Sequence, residues 1–167
     1  DRVRDPHVRM SLELQRAFGL RREEAIKFQP HYADRGDHLL LKASWTKGGK
    51  ARMIPILTPA QRELLIRAHQ LVGRRSLIPL DRDYRQQLRV YERHTANAGL
   101  SRMHGLRHAY AQERYATLTG RLAPAAGGPT VATLSPAKRQ HDEQVRQQIS
   151  RELGHERIEV LRVYCGA

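Results

Sequence analysis

The apolar residues of this chain recur at helical spacing, in short stripes that end on glycine, and that pattern calls for a mostly helical fold. Met10, Leu14, Ala17 and Phe18 fall on one face of a helix that starts at Asp5-Pro6 and stops at Gly19. Proline suits the first helical position, where its missing N–H would have had no partner. Arg21 to Phe28 reads as a second, short helix. Thr58-Pro59 with Gln61 is a helix-start signature, because the threonine and glutamine side chains satisfy free N–H groups of the first turn. Leu64, Leu65, Ala68, Leu71 and Val72 stripe that helix and Gly73 ends it. Tyr84, Leu88 and Tyr91 mark a further helix closing near Gly99, and another runs from about Gly105 to Leu118. Val145, Ile149 and Leu153 stripe a later one, and a last short helix carries Ile158, Leu161 and Tyr164.

Two stretches break the helical period. Leu39 with Leu41, and Arg52 to Ile56, read as two strands, with Thr46-Lys47-Gly48-Gly49-Lys50 supplying the glycines of a hairpin turn. Gly120 to Pro136, rich in Gly, Pro, Ala and Thr, reads as a long loop. The expected fold class is mainly α with a small antiparallel β-sheet, an α+β arrangement. With 167 residues, 40% of them hydrophobic, the chain suffices for one domain with its own core. No apolar run is long enough to span a bilayer, and no signal peptide precedes the first helix. The chain lacks an initial Met and enters a helical pattern almost at once, so it reads as an excised domain. The lone cysteine, Cys165, excludes an internal disulfide framework and fits a reducing cytoplasm.

Charge points to the partner. The net charge of +13 makes a polyanion the natural one. Part of this excess reflects arginine usage of the kind a GC-rich genome favours, since there are 25 arginines and five lysines. Three of those lysines, Lys42, Lys47 and Lys50, nevertheless gather on the expected hairpin.

Four segments carry a resemblance. Gly19-Leu20-Arg21-Arg22-Glu23-Glu24 resembles the Gly-Leu-Arg-x-x-Glu motif of the tyrosine recombinase (phage integrase) family. Thr46 to Ile56, with its trailing Arg52-Met53-Ile54-Pro55, is similar to that family's lysine-bearing hairpin. His104-Gly105-Leu106-Arg107-His108 is similar to its His-x-Leu-Arg-His box. Leu153-Gly154-His155, followed nine residues later by Tyr164, resembles its Leu-Gly-His and nucleophile segment. Each fragment alone is weak, but four in the family's order cover nearly the whole chain.

The resemblance implies a catalytic domain over residues 1–167 that cleaves and rejoins DNA through a 3′-phosphotyrosyl link, with the N-terminal core-binding domain lying outside this stretch. Tyr164 is the implied nucleophile. Arg21, Arg107 and His155 would hold the non-bridging phosphate oxygens, arginine being suited because it stays protonated and bonds bidentately. A tyrosine hydroxyl, with a pKa of about 10, needs a group to take its proton, and His104 is the candidate. The departing 5′-oxygen needs an acid, for which Lys47 is the choice and Lys50 the alternative. Glu24 would position His104 or one of the arginines, and His108 would support the site. Lys42, Lys50 and Arg52 are expected DNA contacts. The phosphotyrosine conserves the bond energy, so neither ATP nor a metal cofactor is implied. His104 and His108, four apart, could also make a metal pair, but no third ligand accompanies them at metal-site spacing.

Three departures stand out. Glu23 occupies a position where the family usually has a small residue. The segment from about Leu118 to Val145 is longer than usual and is an expected extra contact loop. Three residues follow Tyr164, where many relatives carry a tail that docks on a neighbouring protomer. Double-stranded DNA is the expected partner, with self-association on it as a synaptic tetramer and a cytoplasmic, nucleoid-associated setting in a bacterium. The rival readings are a type IB topoisomerase-like enzyme, sharing the chemistry without pairing two sites, and a non-catalytic DNA-binding module derived from an integrase.

Overall fold

The computed structural model describes residues 2–101, 103–155 and 157–167. Its order is α1 (Pro6–Phe18), α2 (Arg22–Lys27), α3 (Pro30–Ala33), β1 (His38–Leu41), β2 (Arg52–Pro55), α4 (Pro59–Val72), α5 (Tyr84–Asn97), α6 (Gly105–Thr119), α7 (Pro136–Leu153) and α8 (Leu161–Cys165). The helix ends follow the signals in the sequence. The Asp5 carboxylate caps α1, accepting from the N–H groups of His7 and Val8, each at 3.0 Å. Thr58 caps α4 and Ser135 caps α7. The strands pair antiparallel, Leu39 opposite Ile54 and Leu41 opposite Arg52. The mostly helical, α+β expectation matches this architecture.

The turn expected at Thr46 to Lys50 is present, with the Gly49 N–H donating to the Thr46 carbonyl at 3.2 Å, but it lies within a longer connection. Residues 42–51 intervene, beginning with a 3₁₀ turn, Ala43–Trp45, that buries Trp45 against Phe28 and Tyr32. Burial of one large aromatic requires chain that a two-residue turn cannot supply. Short α3 also escaped sequence periodicity, since four residues cannot display a helical repeat. Residues 120–135 hold no α-helix or strand, only 3₁₀ turns at Pro124–Ala126 and Val131–Thr133.

One large core gathers residues of α1, both strands, α4, α6, α7 and α8, among them Phe18, Leu41, Leu65, Tyr115, Ile149 and Leu161. A smaller cluster built on Val8, Ile26, Val90 and Tyr91 seats α5 against α1 and α2. Tyr91 fastens that seat by donating its hydroxyl to Gln15 Oε1 at 2.7 Å. Between α6 and α7 the buried Glu152 carboxylate accepts from Tyr110 Oη at 2.6 Å and from Arg114 Nε and Nη2 at 2.9 and 2.8 Å. The end of α1 presses on this junction. Gly19 has φ +68°, and a Cβ there would stand 2.6 Å from Tyr110 Cδ1 and 2.9 Å from Leu153 Cδ2. Only glycine lets the chain turn so close to α6 and α7, and that turn aims Arg21 at the site.

Candidate active site

The site is assembled where the start of α2, the interstrand connection, the start of α6 and the α7–α8 corner meet. Arg21 precedes α2, and its backbone N–H donates to Glu24 Oε1 at 2.8 Å. Glu24 is fully buried. Its carboxylate accepts Arg52 Nη1 at 2.5 Å and Nη2 at 2.7 Å, while Arg21 Nη1 lies 3.6 Å from Oε2. Glu24 therefore sits among arginines. Arg52, expected as a DNA contact, is 7% exposed and commits both Nη groups to this carboxylate. Lys42, from the same expectation, is half-buried, its Nζ 4.4 Å from the centre of the Tyr32 ring and 3.3 Å from Gln29 Oε1. Lys47 and Lys50 are exposed on the connection, where the Thr46 hydroxyl accepts the Lys50 N–H at 3.0 Å and donates to the Ala43 or Lys50 carbonyl.

Gly154 is what lets the two arginines converge. It ends α7 at φ +83°, and a Cβ would stand 2.7 Å from Arg52 Nη1 and 3.0 Å from Arg21 Nη1. Arg107, 1% exposed, rivets the segments together: Nη1 donates to the Gly19 carbonyl and Nη2 to the Leu153 carbonyl, both at 2.8 Å. Its Nε is buried without a hydrogen-bond partner.

Tyr164 lies at the centre of the histidines. Its hydroxyl is 3.3 Å from His104 Nε2 and 3.3 Å from His155 Nε2. Its ring packs on His108, centroids 4.6 Å apart, and the residue is 2% exposed. Arg107 Nη2 points at His155 Nε2 from 3.4 Å. Because an arginine only donates, that nitrogen is an acceptor and the ring proton of His155 sits on Nδ1. With the lone pair of His155 Nε2 facing Arg107, the Tyr164 proton is directed to His104 Nε2.

Electrostatics give the site its sign. The guanidiniums of Arg21 and Arg52 face one carboxylate, that of Glu24, and Arg107 adds a third positive charge that both of them feel. The histidines register the excess. Burial, then Arg107, Arg21 and Arg52, pulls the His155 pKa down to about 4. Burial and Arg107 lower His104 and His108 in the same direction, with His108 and Arg21 also acting on His104. Burial first, and positive surroundings second, disfavour the charged form of all three rings, and an anion would relieve the second cause.

The concavity is a trench. A pocket of about 420 Å³ is lined by Arg21, Lys47, Lys50, Arg52 and His155, and a neighbouring one of about 570 Å³ by Arg21, Lys47, His104 and Arg107. The structure thus brings together Arg21, Lys47, His104, Arg107, His155 and Tyr164, with Glu24 and His108 behind them. Sequence reasoning missed Arg151, which lines the trench beside His155 and has no ion-pair partner among the described residues. Its place four residues before His155, one helical turn, was the available signal. Among the described residues no group of three or more His, Cys, Asp or Glu gathers as a metal site. No described helix is long and apolar enough to cross a membrane.

This fold and this arrangement define a tyrosine recombinase catalytic domain. The family described as Integrase matches residues 1–113, and the chain belongs to that family. The match stops short of the segment bearing His155 and Tyr164. The fold is similar to that of the XerH site-specific recombinase bound to a palindromic difH substrate in a post-cleavage complex. The TM-score is 0.55 at 20% identity, covering 96% of this chain. This chain spans 43% of the XerH chain. No curated protein matches this sequence.

Proposed function

We propose that this domain cuts and rejoins double-stranded DNA by transesterification through Tyr164, in the integration or excision of a mobile element. The observation that carries the reading is the Tyr164 hydroxyl, 3.3 Å from two histidine nitrogens and beside the Arg107 guanidinium. A scissile phosphate in the trench would meet Arg21 and His155 beside the buried Arg107 guanidinium, and the positive field of the arginines favours the added charge of the transition state. His104 accepts the tyrosine proton as Oη bonds to phosphorus and the 5′-oxygen departs. Lys47, on the exposed connection, protonates that oxygen. Rejoining reverses each step, and the net change in bonds is zero. The net charge of +13 supports duplex DNA as partner, as does the substrate-bound state of XerH. Assembly as a tetramer pairing two sites, and residues 1–167 serving as the catalytic part of a longer recombinase, belong to the same proposal.

The test is a nicked suicide duplex carrying the element's own site, run on a denaturing gel, with the adduct mapped by mass spectrometry. The expected product is a 3′-phosphotyrosyl link at Tyr164, absent in Tyr164→Phe, which still binds DNA. An adduct at Tyr110 or Tyr115, or full cleavage by Tyr164→Phe, overturns the reading. Relaxation of supercoils without joining of two sites would move the assignment to a type IB topoisomerase-like activity.

A further inference from the structure

The trench does not end at His155. Arg151 and His155 line both the pocket of about 420 Å³ and a further concavity of about 390 Å³ that Gln147, Ser150 and Ile158 complete. The groove therefore runs on along α7, past the corner where that helix ends. Gln147 and Arg151, four residues apart, share one face of α7, and both are exposed. Other arginines around the site are already engaged: Arg52 by Glu24, Arg107 by the Gly19 and Leu153 carbonyls, and Arg146 by Asp142 and the Gly166 carbonyl. Arg151 has no ion-pair partner among the described residues. The corner that carries it is nevertheless fixed. The Gly154 N–H donates to the Arg151 carbonyl at 3.1 Å and the His155 N–H to the Ser150 carbonyl at 2.9 Å. The Ser150 hydroxyl donates to the His155 or the Arg157 carbonyl, 3.2 and 3.1 Å away, which ties the chain beyond the turn back to α7. The backbone of Arg151 is thus held at a set offset from His155 while its charge faces the groove.

We infer that Arg151 binds the DNA phosphate next to the scissile one on the strand that is cut, and that this strand continues along the groove beside Gln147. This rests on the reading of the trench as the seat of a scissile phosphate. A guanidinium without a carboxylate partner suits a phosphate, whose oxygens it can meet bidentately. Neighbouring phosphates of one strand are separated by about 3.4 Å of rise, and one turn of α-helix by about 5.4 Å. A charge one turn before His155 therefore meets the next phosphate while His155 meets the scissile one. Continuity through His155, which lines both concavities, assigns the contact to the same strand. Such a contact reads no base. It sets the register of the strand, so that the scissile phosphate comes to Arg21 and His155 and not a nucleotide to either side.

Binding is measured in the Tyr164→Phe protein, so that a duplex carrying the element's own site stays uncut, with and without Arg151→Gln. Arg151 is exposed, so thermal melting should not change. Affinity at low salt should fall about five- to ten-fold, and the slope of log affinity against log salt should lessen by about 1, the mark of one phosphate contact. Arg151→Lys keeps the charge and should keep the slope. Neutral methylphosphonates, placed one at a time in the duplex, then locate the contact. At the phosphate adjacent to the scissile one, the replacement should weaken binding by Arg151 protein about five- to ten-fold and weaken Arg151→Gln no further. At the scissile phosphate and on the complementary strand the two losses should add. An unchanged slope for Arg151→Gln, or coupling that falls on the scissile phosphate, on the complementary strand or nowhere, overturns the inference. Absence of duplex binding by the unaltered protein even at low salt overturns the DNA reading of the trench instead, and the Arg151 contact with it. Normal binding without any Tyr164 adduct overturns the nucleophile reading, and the placement beside a scissile phosphate with it.

Discussion

Glu24→Gln isolates one charge at the structural heart of the site. The two side chains share a shape, so the substitution removes a negative charge and little else. In the structure the Glu24 carboxylate is fully buried and holds Arg52 through two hydrogen bonds, with the Arg52 side chain 6% exposed. Without it, a buried guanidinium faces Arg21 and Arg107 with no counter-charge. Removing one partner of a buried pair costs about 3–5 kcal/mol. Glutamine keeps an oxygen that can accept one Arg52 bond or the Arg21 N–H, so the expected loss lies at the low end, about 3 kcal/mol. For a domain of this size each kcal/mol lowers Tm by about 2–4 °C, giving a drop of roughly 6–12 °C. Urea denaturation followed by circular dichroism measures the free energy, and calorimetry measures Tm. The reasoning also requires coupling: Arg52→Met in the Glu24→Gln background should cost less than Arg52→Met alone, because the stranded cation is removed with its partner. Simple additivity, or a loss under about 1 kcal/mol for Glu24→Gln, would refute the pairing as the source of stability.

The lowered pKa of His155 fixes a pH dependence. Its folded value of about 4 lies below the unfolded value of about 6.5, so the unfolded chain takes up the proton first; the stability from the neutral ring is present above pH 6.5 and lost as pH falls towards 4. A bound phosphate offsets the arginines' share of the shift, so DNA binding inside that window should take up protons, read by calorimetry in two buffers of different ionisation enthalpy; zero uptake contradicts the site's positive field. Gly154→Ala places a methyl at φ +83° against Arg52 and Arg21 and should cost about 1–2 kcal/mol from backbone strain alone, with a larger fractional loss of cleavage than of DNA affinity. An alanine variant with unchanged melting and cleavage would show that the guanidiniums do not need that space. Lys47→Ala should slow cleavage at a 5′-oxygen and recover when the leaving group is a 5′-thiol, which departs unprotonated. Rescue of Lys50→Ala instead, on the same gel assay, transfers the acid role to Lys50.

Much of the fold was legible because its signals are local. The Asp5 cap, the Thr58–Gln61 box and the glycines after α1, α4 and α7 act within one helical turn, so the sequence states where those helices begin and end. The candidate site was legible through motif resemblance, residue by residue. It was not legible as geometry: nothing in the sequence pairs Glu24 with Arg52 rather than with His104, because that choice depends on how β2 packs beside α2.

The sequence by itself determined the helical periodicity, the two strands, the excess of positive charge and, Arg151 apart, the identities of the residues that meet in the trench. Tertiary structure alone decided which of them touch. Arg52 became a buried partner of Glu24 instead of a surface contact, Arg107 became a rivet between two backbone carbonyls, and the segment 120–135 closed on the end of α8. The physical reason is range. Caps, turns and periodicity are set by neighbours in the chain, whereas a buried charge must find its partner wherever the packed core brings one, here 28 residues away for Glu24 and Arg52 and 88 for Arg107 and Gly19.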